Sequence, residues 1–95
     1  MPVTLEERSA EGSWQPLGAG ATGADGRLED LVPAGRALHP GLHRLRFDTE
    51  AYFTGRGMAG FYPEVTIVFE IADPSEHYHV PLLLSPYGYT TYRGG

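Results

Sequence analysis

A chain of 95 residues and 10.4 kDa has room for one hydrophobic core and is too short for two ordinary domains. Its net charge of -5 argues against nucleic-acid binding, and the absence of cysteine excludes disulfides and thiolate metal sites. We expect a soluble, cytoplasmic protein that does not bind membranes, because the sequence lacks a secretory signal and an apolar run of roughly 20 residues. So small a core would also gain stability from subunit association.

Alternation of apolar and polar residues with a period of two is the clearest signal for local structure. It predicts four strands, at residues 3–6, 42–47, 64–71 and 78–84. A short helix is predicted after the second strand, where Asp48 can serve as N-cap and Gly55 and Gly57 end the helical pattern. A tight turn is predicted at residues 24–26, with Arg27 directly after it.

The spacing of these elements indicates the fold class. The chain carries 13 glycines and 8 prolines, most of them between short strands, and shows no internal repeat. That pattern is typical of an all-β protein. We therefore predict one domain over residues 1–95, an antiparallel β-sandwich with at most one helix.

Candidate catalytic residues are few, because the chain has no cysteine, no G-x-S-x-G motif and no glycine-rich phosphate loop. His77 and His79 stand two apart on a predicted strand, so their side chains point to the same face. Two such histidines can hold a metal or a substrate, but H-x-H alone favours one surface and one packed histidine over a metal site. His79 suits a general base because a histidine pKa lies near physiological pH; packing is the alternative.

Two arginines and three tyrosines complete the candidates. Arg27 follows the predicted turn and Arg93 lies near the end of the chain, and each in isolation is most simply a solvated cation. Tyr87, Tyr89 and Tyr92 alternate imperfectly, which favours packing or interface contacts. None of these residues assigns a reaction by itself.

Several stretches of the chain together resemble one known family. The ending HYHVPLLLSPYGYTTYRGG is very close to the C-terminal signature of the transthyretin-related 5-hydroxyisourate hydrolases, which normally closes Tyr-Arg-Gly-Ser. GLHRLRFDTEAYF, residues 41–53, resembles the family's strand and short helix, and GFYPEVTIVFEI, residues 60–71, resembles the following strand. ADGRL, residues 24–28, matches the position of the family's arginine, so the resemblance covers nearly the whole chain.

The resemblance implies a transthyretin-like sandwich that acts in urate degradation. Members of the family open the six-membered ring of 5-hydroxyisourate by adding water to a ring carbonyl and breaking a C–N bond. They use no metal or organic cofactor. Four protomers meet around a central channel, so the resemblance implies a homotetramer with active sites at the interface between dimers.

Matching positions imply roles for individual residues. His79 corresponds to the histidine that activates water or holds the substrate, and His77 to its less essential neighbour. Arg27 corresponds to the arginine that binds the substrate's carbonyl oxygens and stabilises the negative charge that develops on them. Tyr92 and Arg93 belong to the tail that lines the pocket, which would explain a chain end that does not fray.

The sequence departs from the family pattern at its start and its end. The family's first strand, which carries a second histidine, has no counterpart, because residues 1–5 match the second strand. Its absence would leave two rows of backbone groups unpaired, so we expect the chain to be an incomplete copy of the domain. Gly95 replaces the usual serine, and His43 stands where tyrosine is frequent. A non-catalytic transthyretin-like module for a small ligand and an inactive hydrolase fragment are the alternatives to an active enzyme.

Overall fold

The computed structural model describes residues 1–21, 31–32, 37–76 and 78–94, and within them contains six strands and one helix. In chain order they are β1 (Pro2–Arg8), β2 (Trp14–Ala21), β3 (Gly41–Phe47), α1 (Thr49–Gly55), β4 (Val65–Ile71), β5 (Leu82–Ser85) and β6 (Gly88–Thr91). One antiparallel sheet has the strand order β2-β1-β3-β4, and β5 pairs with β6 in a second sheet. The prediction of a mostly β fold with one short helix is confirmed.

Three of the predicted strands correspond to β1, β3 and β4. The prediction for residues 78–84 begins too early, because regular pairing starts only at Leu82. Pro81 directly before it has no N–H to donate to a ladder, and His79 instead makes an isolated bridge to Gly94. The turn predicted at residues 24–26 lies outside the described residues.

Strands β2 and β6 are not apparent from the sequence. β2 reads WQPLGAGA, in which proline, glycine and alanine replace the β-branched residues that usually mark a strand. It lies at the edge of its sheet, where Pro16 is tolerated because one side of the strand needs no partner. Neighbouring strands rather than local propensity therefore fix β2.

Helix α1 begins and ends as predicted. The Asp48 carboxylate accepts a hydrogen bond of 2.9 Å from the backbone N–H of Ala51, as an N-cap does. At the other end, the N–H of Gly57 donates to the carbonyl of Thr54, and Gly57 adopts a φ of 66° that favours glycine. These two caps limit the helix to seven residues.

The core lies on the inner face of the four-stranded sheet. Its buried hydrophobic residues are Val3, Leu5, Leu17, Leu45, Phe47, Val65, Ile71, Tyr78 and Val80. Tyr78 and Val80 belong to the segment that leads into β5, so this segment covers the sheet and closes the sandwich. No helix among the described residues is long and apolar enough to cross a membrane.

The outer face of the same sheet carries an ionic ladder. Glu6, only 8% exposed, accepts two hydrogen bonds from the Arg44 guanidinium at 3.0 and 3.2 Å, and that guanidinium lies 4.5 Å from the Trp14 ring. Arg46 donates to the exposed Glu64 at 2.9 Å. The hydrogen bond from Arg46 lowers the pKa of the Glu64 carboxyl. The charged side chains on the outer face are therefore paired with one another, while the apolar side chains of the inner face form the core.

Candidate functional site

His79 lies on the segment between β4 and β5 with its side chain turned away from the core. Its neighbours Tyr78 and Val80 are buried, whereas His79 is half-buried, as alternation along an extended chain requires. The N–H of Gly94 donates a hydrogen bond of 2.7 Å to the His79 carbonyl. The end of the chain thus runs directly alongside the histidine.

The His79 imidazole is enclosed by the C-terminal tail, residues 92–94. The Tyr92 ring lies edge-on to the imidazole, with ring centroids 6.4 Å apart and an angle of 74° between the planes. The Nε2 atom of His79 is buried and has no hydrogen-bond partner within the part of the chain that the structure describes. A buried polar atom without a partner is unfavourable in a folded protein and is a feature of sites that bind a ligand.

Arg93 fastens the tail to the preceding turn. Its guanidinium donates to the Glu76 carboxylate at 2.7 Å and lies 4.6 Å from the Tyr78 ring. The hydrogen bond to Glu76 raises the pKa of Arg93. The Tyr78 hydroxyl in turn donates to the Asp73 carbonyl at 3.0 Å. This chain of contacts explains why residues near the end of the sequence remain ordered.

Only some of the predicted site residues come together in the described part of the chain. His79 and Tyr92 are in contact, and Arg93 lies in the same tail with its guanidinium directed at Glu76. Arg27 and His77 lie outside the described residues, so their predicted roles remain predictions. Within residues 1–21, 31–32, 37–76 and 78–94, no three histidine or carboxylate side chains are placed to hold a metal ion.

A cavity of about 190 Å³ opens beside the tail, between it and the edge strand β4. Ile67 and Phe69 of β4, together with Val80 and Tyr92, form its apolar lining, and Glu70 and Arg93 are its charged members. Tyr92 borders this cavity and also contacts His79. Tyr92 is therefore the residue that connects the cavity with the imidazole, which is not itself part of the lining.

His43 is a fully buried histidine near the start of β3. The His43 side chain is only 1% exposed, as its predicted place on a face with Leu45 and Phe47 requires. Its Nδ1 donates to the Gly41 carbonyl at 3.0 Å, because a carbonyl oxygen can only accept. Its Nε2 has no hydrogen-bond partner among residues 1–21, 31–32, 37–76 and 78–94, and lies 4.0 Å from a carboxylate oxygen of Glu7. His43 is thus built into the scaffold.

Sequence reasoning did not identify Glu76 or Gly94 as parts of the site. Glu76 is an exposed acid after a turn, with no pattern that connects it to an arginine seventeen positions later. Gly94 is the glycine of the Tyr-Arg-Gly ending, but the family resemblance assigns it no role. Only the path of the tail reveals their contacts.

The antiparallel sandwich, the short helix α1 and the tail that lies against His79 define a protein of the transthyretin type. Sea bream transthyretin in complex with thyroxine superimposes with a TM-score of 0.82 at 34% identity, covering 98% of this chain and 79% of that one. The chain belongs to the HIUase/transthyretin family, whose profile matches residues 1–94.

Relatives within this family include 5-hydroxyisourate hydrolases. The enzyme of Salmonella dublin is 47% identical over 92 residues, which are 97% of this chain and 66% of the relative. The Mus musculus enzyme is 47% identical over 81 residues, covering 85% of this chain and 68% of the relative. The chain thus spans about two thirds of the length of these hydrolases, and the resemblance seen in the sequence is confirmed.

Proposed function

We propose that this chain forms the core of a 5-hydroxyisourate hydrolase. The observation that carries the proposal is the buried Nε2 of His79, which has no hydrogen-bond partner among the described residues and belongs to a ring that Tyr92 and Gly94 flank. Identity of 47% to hydrolases over almost the whole chain supports the same reaction. The match over residues 1–94 also supports a single domain.

In the proposed reaction, His79 acts as the general base. Its Nε2 takes a proton from water while the water oxygen forms a bond to a ring carbonyl carbon of 5-hydroxyisourate. The resulting tetrahedral oxyanion re-forms the carbonyl, the ring C–N bond breaks, and the proton on the imidazole passes to the departing nitrogen. The product retains every atom of substrate and water, so no oxidant or cofactor enters the balance.

Two arginines and one tyrosine are proposed to bind the substrate. Arg27 is assigned by its place in the family pattern, as the donor to the carbonyl oxygen that becomes negative. Tyr92 contacts the His79 ring and can form one wall of the pocket. Arg93 pairs with Glu76, but both side chains are more than half exposed. Such pairs are weak, so substrate oxygens can replace the carboxylate.

A homotetramer is proposed as the working form. The hairpin of β5 and β6 exposes aromatic rings, with Tyr87 in its turn at 79% and Tyr89 in β6 at 43%. Association would bury them and enlarge the core of a short chain. Multi-angle light scattering should give four times the chain mass, and a stable, folded monomer would contradict this assembly. The cytoplasmic location remains a prediction.

The direct test follows the decay of freshly generated 5-hydroxyisourate by ultraviolet absorbance. We expect His79→Ala to lower turnover by about 100-fold or more, as loss of a positioned acid-base group does. His39→Ala is the matched control, because His39 is 71% exposed and contacts only Glu7 among the ionic groups of the described chain. Equal turnover of the His79 variant and the unmodified chain would remove His79 from the reaction.

The assay should include a version extended upstream by the first strand of the Salmonella enzyme. Acceleration by the extended version alone would indicate that the family's additional strand is required. If neither version accelerates the decay, a small-ligand carrier becomes the better candidate, which the likeness to a thyroxine-bound transthyretin supports. Calorimetric titration with thyroxine then tests that second function.

A further inference from the structure

Gly94 lies closer to His79 than any residue with a side chain could. A methyl group on Gly94 would stand 2.5 Å from Nδ1 of His79, 3.1 Å from its Cγ and 3.2 Å from its Cβ. Non-bonded carbon atoms normally keep about 3.5 to 4.0 Å from their neighbours. Alanine at this position therefore requires the histidine or the tail to move.

Backbone conformation does not explain the glycine. Among the described residues, a positive φ occurs at Gly12, Gly41 and Gly57, and not at Gly94. The N–H of Gly94 makes an ordinary bridge to the His79 carbonyl at 2.7 Å, which any residue except proline can make. What Gly94 provides is space for the imidazole.

The imidazole cannot avoid an added methyl group by a small rotation. Rotation about the Cβ–Cγ bond moves Nδ1, the nearest of the three atoms, but leaves Cγ and Cβ 3.1 and 3.2 Å from the new methyl group. Relief at Cγ requires rotation about the Cα–Cβ bond, and relief at Cβ requires the tail to shift by a few tenths of an ångström. Rotation about the Cα–Cβ bond moves the ring to another rotamer and withdraws Nε2 from its buried position. Lifting the tail instead breaks the bridge between Gly94 and His79 and separates Tyr92 from the ring.

The rest of the tail resists lifting. Leu82 and Leu83 of β5 pair with Thr91 and Thr90 of β6 directly before the tail, and the Thr91 hydroxyl donates to the Pro81 carbonyl at 2.8 Å. The exposed pair of Arg93 and Glu76 adds only a weak contact. These contacts hold the tail on both sides of Tyr92. An added methyl group at position 94 therefore acts mainly on the His79 rotamer.

We propose that Gly94 is a positioning residue, whose missing side chain lets the tail press against His79 and hold its imidazole in one rotamer. The effect on turnover rests on the hydrolase function proposed above; the effect on the rotamer does not. Gly94→Ala should lower turnover by on the order of 100-fold, as displacement of a reacting group by about 1 Å does. The melting temperature should fall by less than about 5 °C.

The rotamer is measured by NMR three-bond couplings across the Cα–Cβ bond of His79, in protein with labelled histidine. One rotamer is expected in the unmodified chain, and a changed or averaged coupling in Gly94→Ala. The unmodified chain should also show a nuclear Overhauser contact between the Gly94 Hα and His79 Hβ protons. Absence of that contact would overturn the proposal whether or not the variant folds.

Two further alanine variants serve as matched controls. At Gly88 the new methyl group would make an ordinary contact of 3.6 Å with the Ser85 hydroxyl, so rotamer and turnover should stay unchanged. At Gly60 it would collide with the ring of Phe53 in helix α1, and the hairpin is reached from there through Phe61, whose N–H donates to the Pro86 carbonyl. Gly60→Ala should lower the melting temperature by about 5 to 10 °C and leave the His79 coupling unchanged.

The outcomes separate this proposal from the proposed reaction. The positioning role is refuted if Gly94→Ala keeps both the His79 coupling and the turnover of the unmodified chain. It is also refuted if Gly60→Ala changes the His79 coupling as much as Gly94→Ala does. If the unmodified chain fails to hydrolyse 5-hydroxyisourate, the hydrolase function is refuted, and the couplings still decide whether Gly94 fixes the imidazole.

Discussion

The four-stranded sheet and the hairpin of β5 and β6 are held together by different means. The strands of the sheet are seven or eight residues long, and Leu5 and Leu45 between the layers are at most 1% exposed. Each hairpin strand has four residues, and Leu83 within it is 57% exposed. The sheet is stabilised by burial of apolar area, whereas the hairpin relies on individual hydrogen bonds.

The candidate site is held together as the hairpin is, by individual polar contacts rather than by burial of apolar area. His79 and the tail depend on a bridge to Gly94, an exposed ion pair and a hydroxyl bond to Pro81. Single interactions of this kind contribute about 1 kcal/mol each. The arrangement at the site can therefore change without unfolding of the sheet, and the two regions should respond differently to the same substitution.

The largest contrast is expected from leucine to alanine changes. Leu45→Ala removes a core side chain and should lower the free energy of unfolding by about 3 kcal/mol. Leu83→Ala should change it by no more than about 0.5 kcal/mol, because most of its surface is already in water. Urea unfolding at low protein concentration, where monomers dominate, measures both. Equal losses would mean that the hairpin contributes to the core as much as the sheet does.

The ionic ladder gives a contrast of intermediate size within the sheet. Glu6→Gln leaves Arg44 without its carboxylate partner in a nearly buried place and should lower the free energy of unfolding by about 2 kcal/mol. Glu64→Gln at the exposed end of the same ladder should change it by less than about 0.5 kcal/mol. A loss for Glu64→Gln as large as that for Glu6→Gln would contradict the role assigned to burial.

The smallest effect concerns acid. Arg46 lowers the pKa of Glu64 in the folded state. The pair therefore makes its whole contribution to the stability of the folded chain at pH values above the pKa of glutamate in the unfolded chain, about 4.3. Its contribution disappears as the pH falls through the lower folded pKa. At pH 7 the melting temperature of the unmodified chain should exceed that of Glu64→Gln by no more than about 2 °C. Near pH 2 the two melting temperatures should be equal. If the difference in melting temperature grew as the pH fell, the pKa of Glu64 would be raised rather than lowered in the folded state.

The difference between elements that bury apolar area and elements held by individual contacts also determines which of them the sequence could predict. β1, β3 and β4 alternate regularly because each buries one face, and Asp48 marks the start of the helix by a local bond. β2 has no such alternation and depends on its neighbour β1. Patterns of period two record burial, so they reveal strands that carry the core and overlook strands that follow their partners.

The candidate site was predictable in composition rather than in geometry. His79 and Tyr92 were identified as members of a family pattern, and they are in contact. The space that Gly94 leaves for the imidazole depends on two chain segments fifteen residues apart. No periodicity or motif within either segment records that distance, so only the fold could reveal it.

Trp14, the single tryptophan of the chain, lies over Arg44 on the outer face of the four-stranded sheet. Tyr87, Tyr89 and Tyr92 all belong to the hairpin and tail. Indole emission, excited selectively at long ultraviolet wavelengths, therefore reports on the sheet and not on the tail. The protein thus carries an intrinsic optical probe, with which loosening around the histidine can be distinguished from melting of the scaffold without any attached dye.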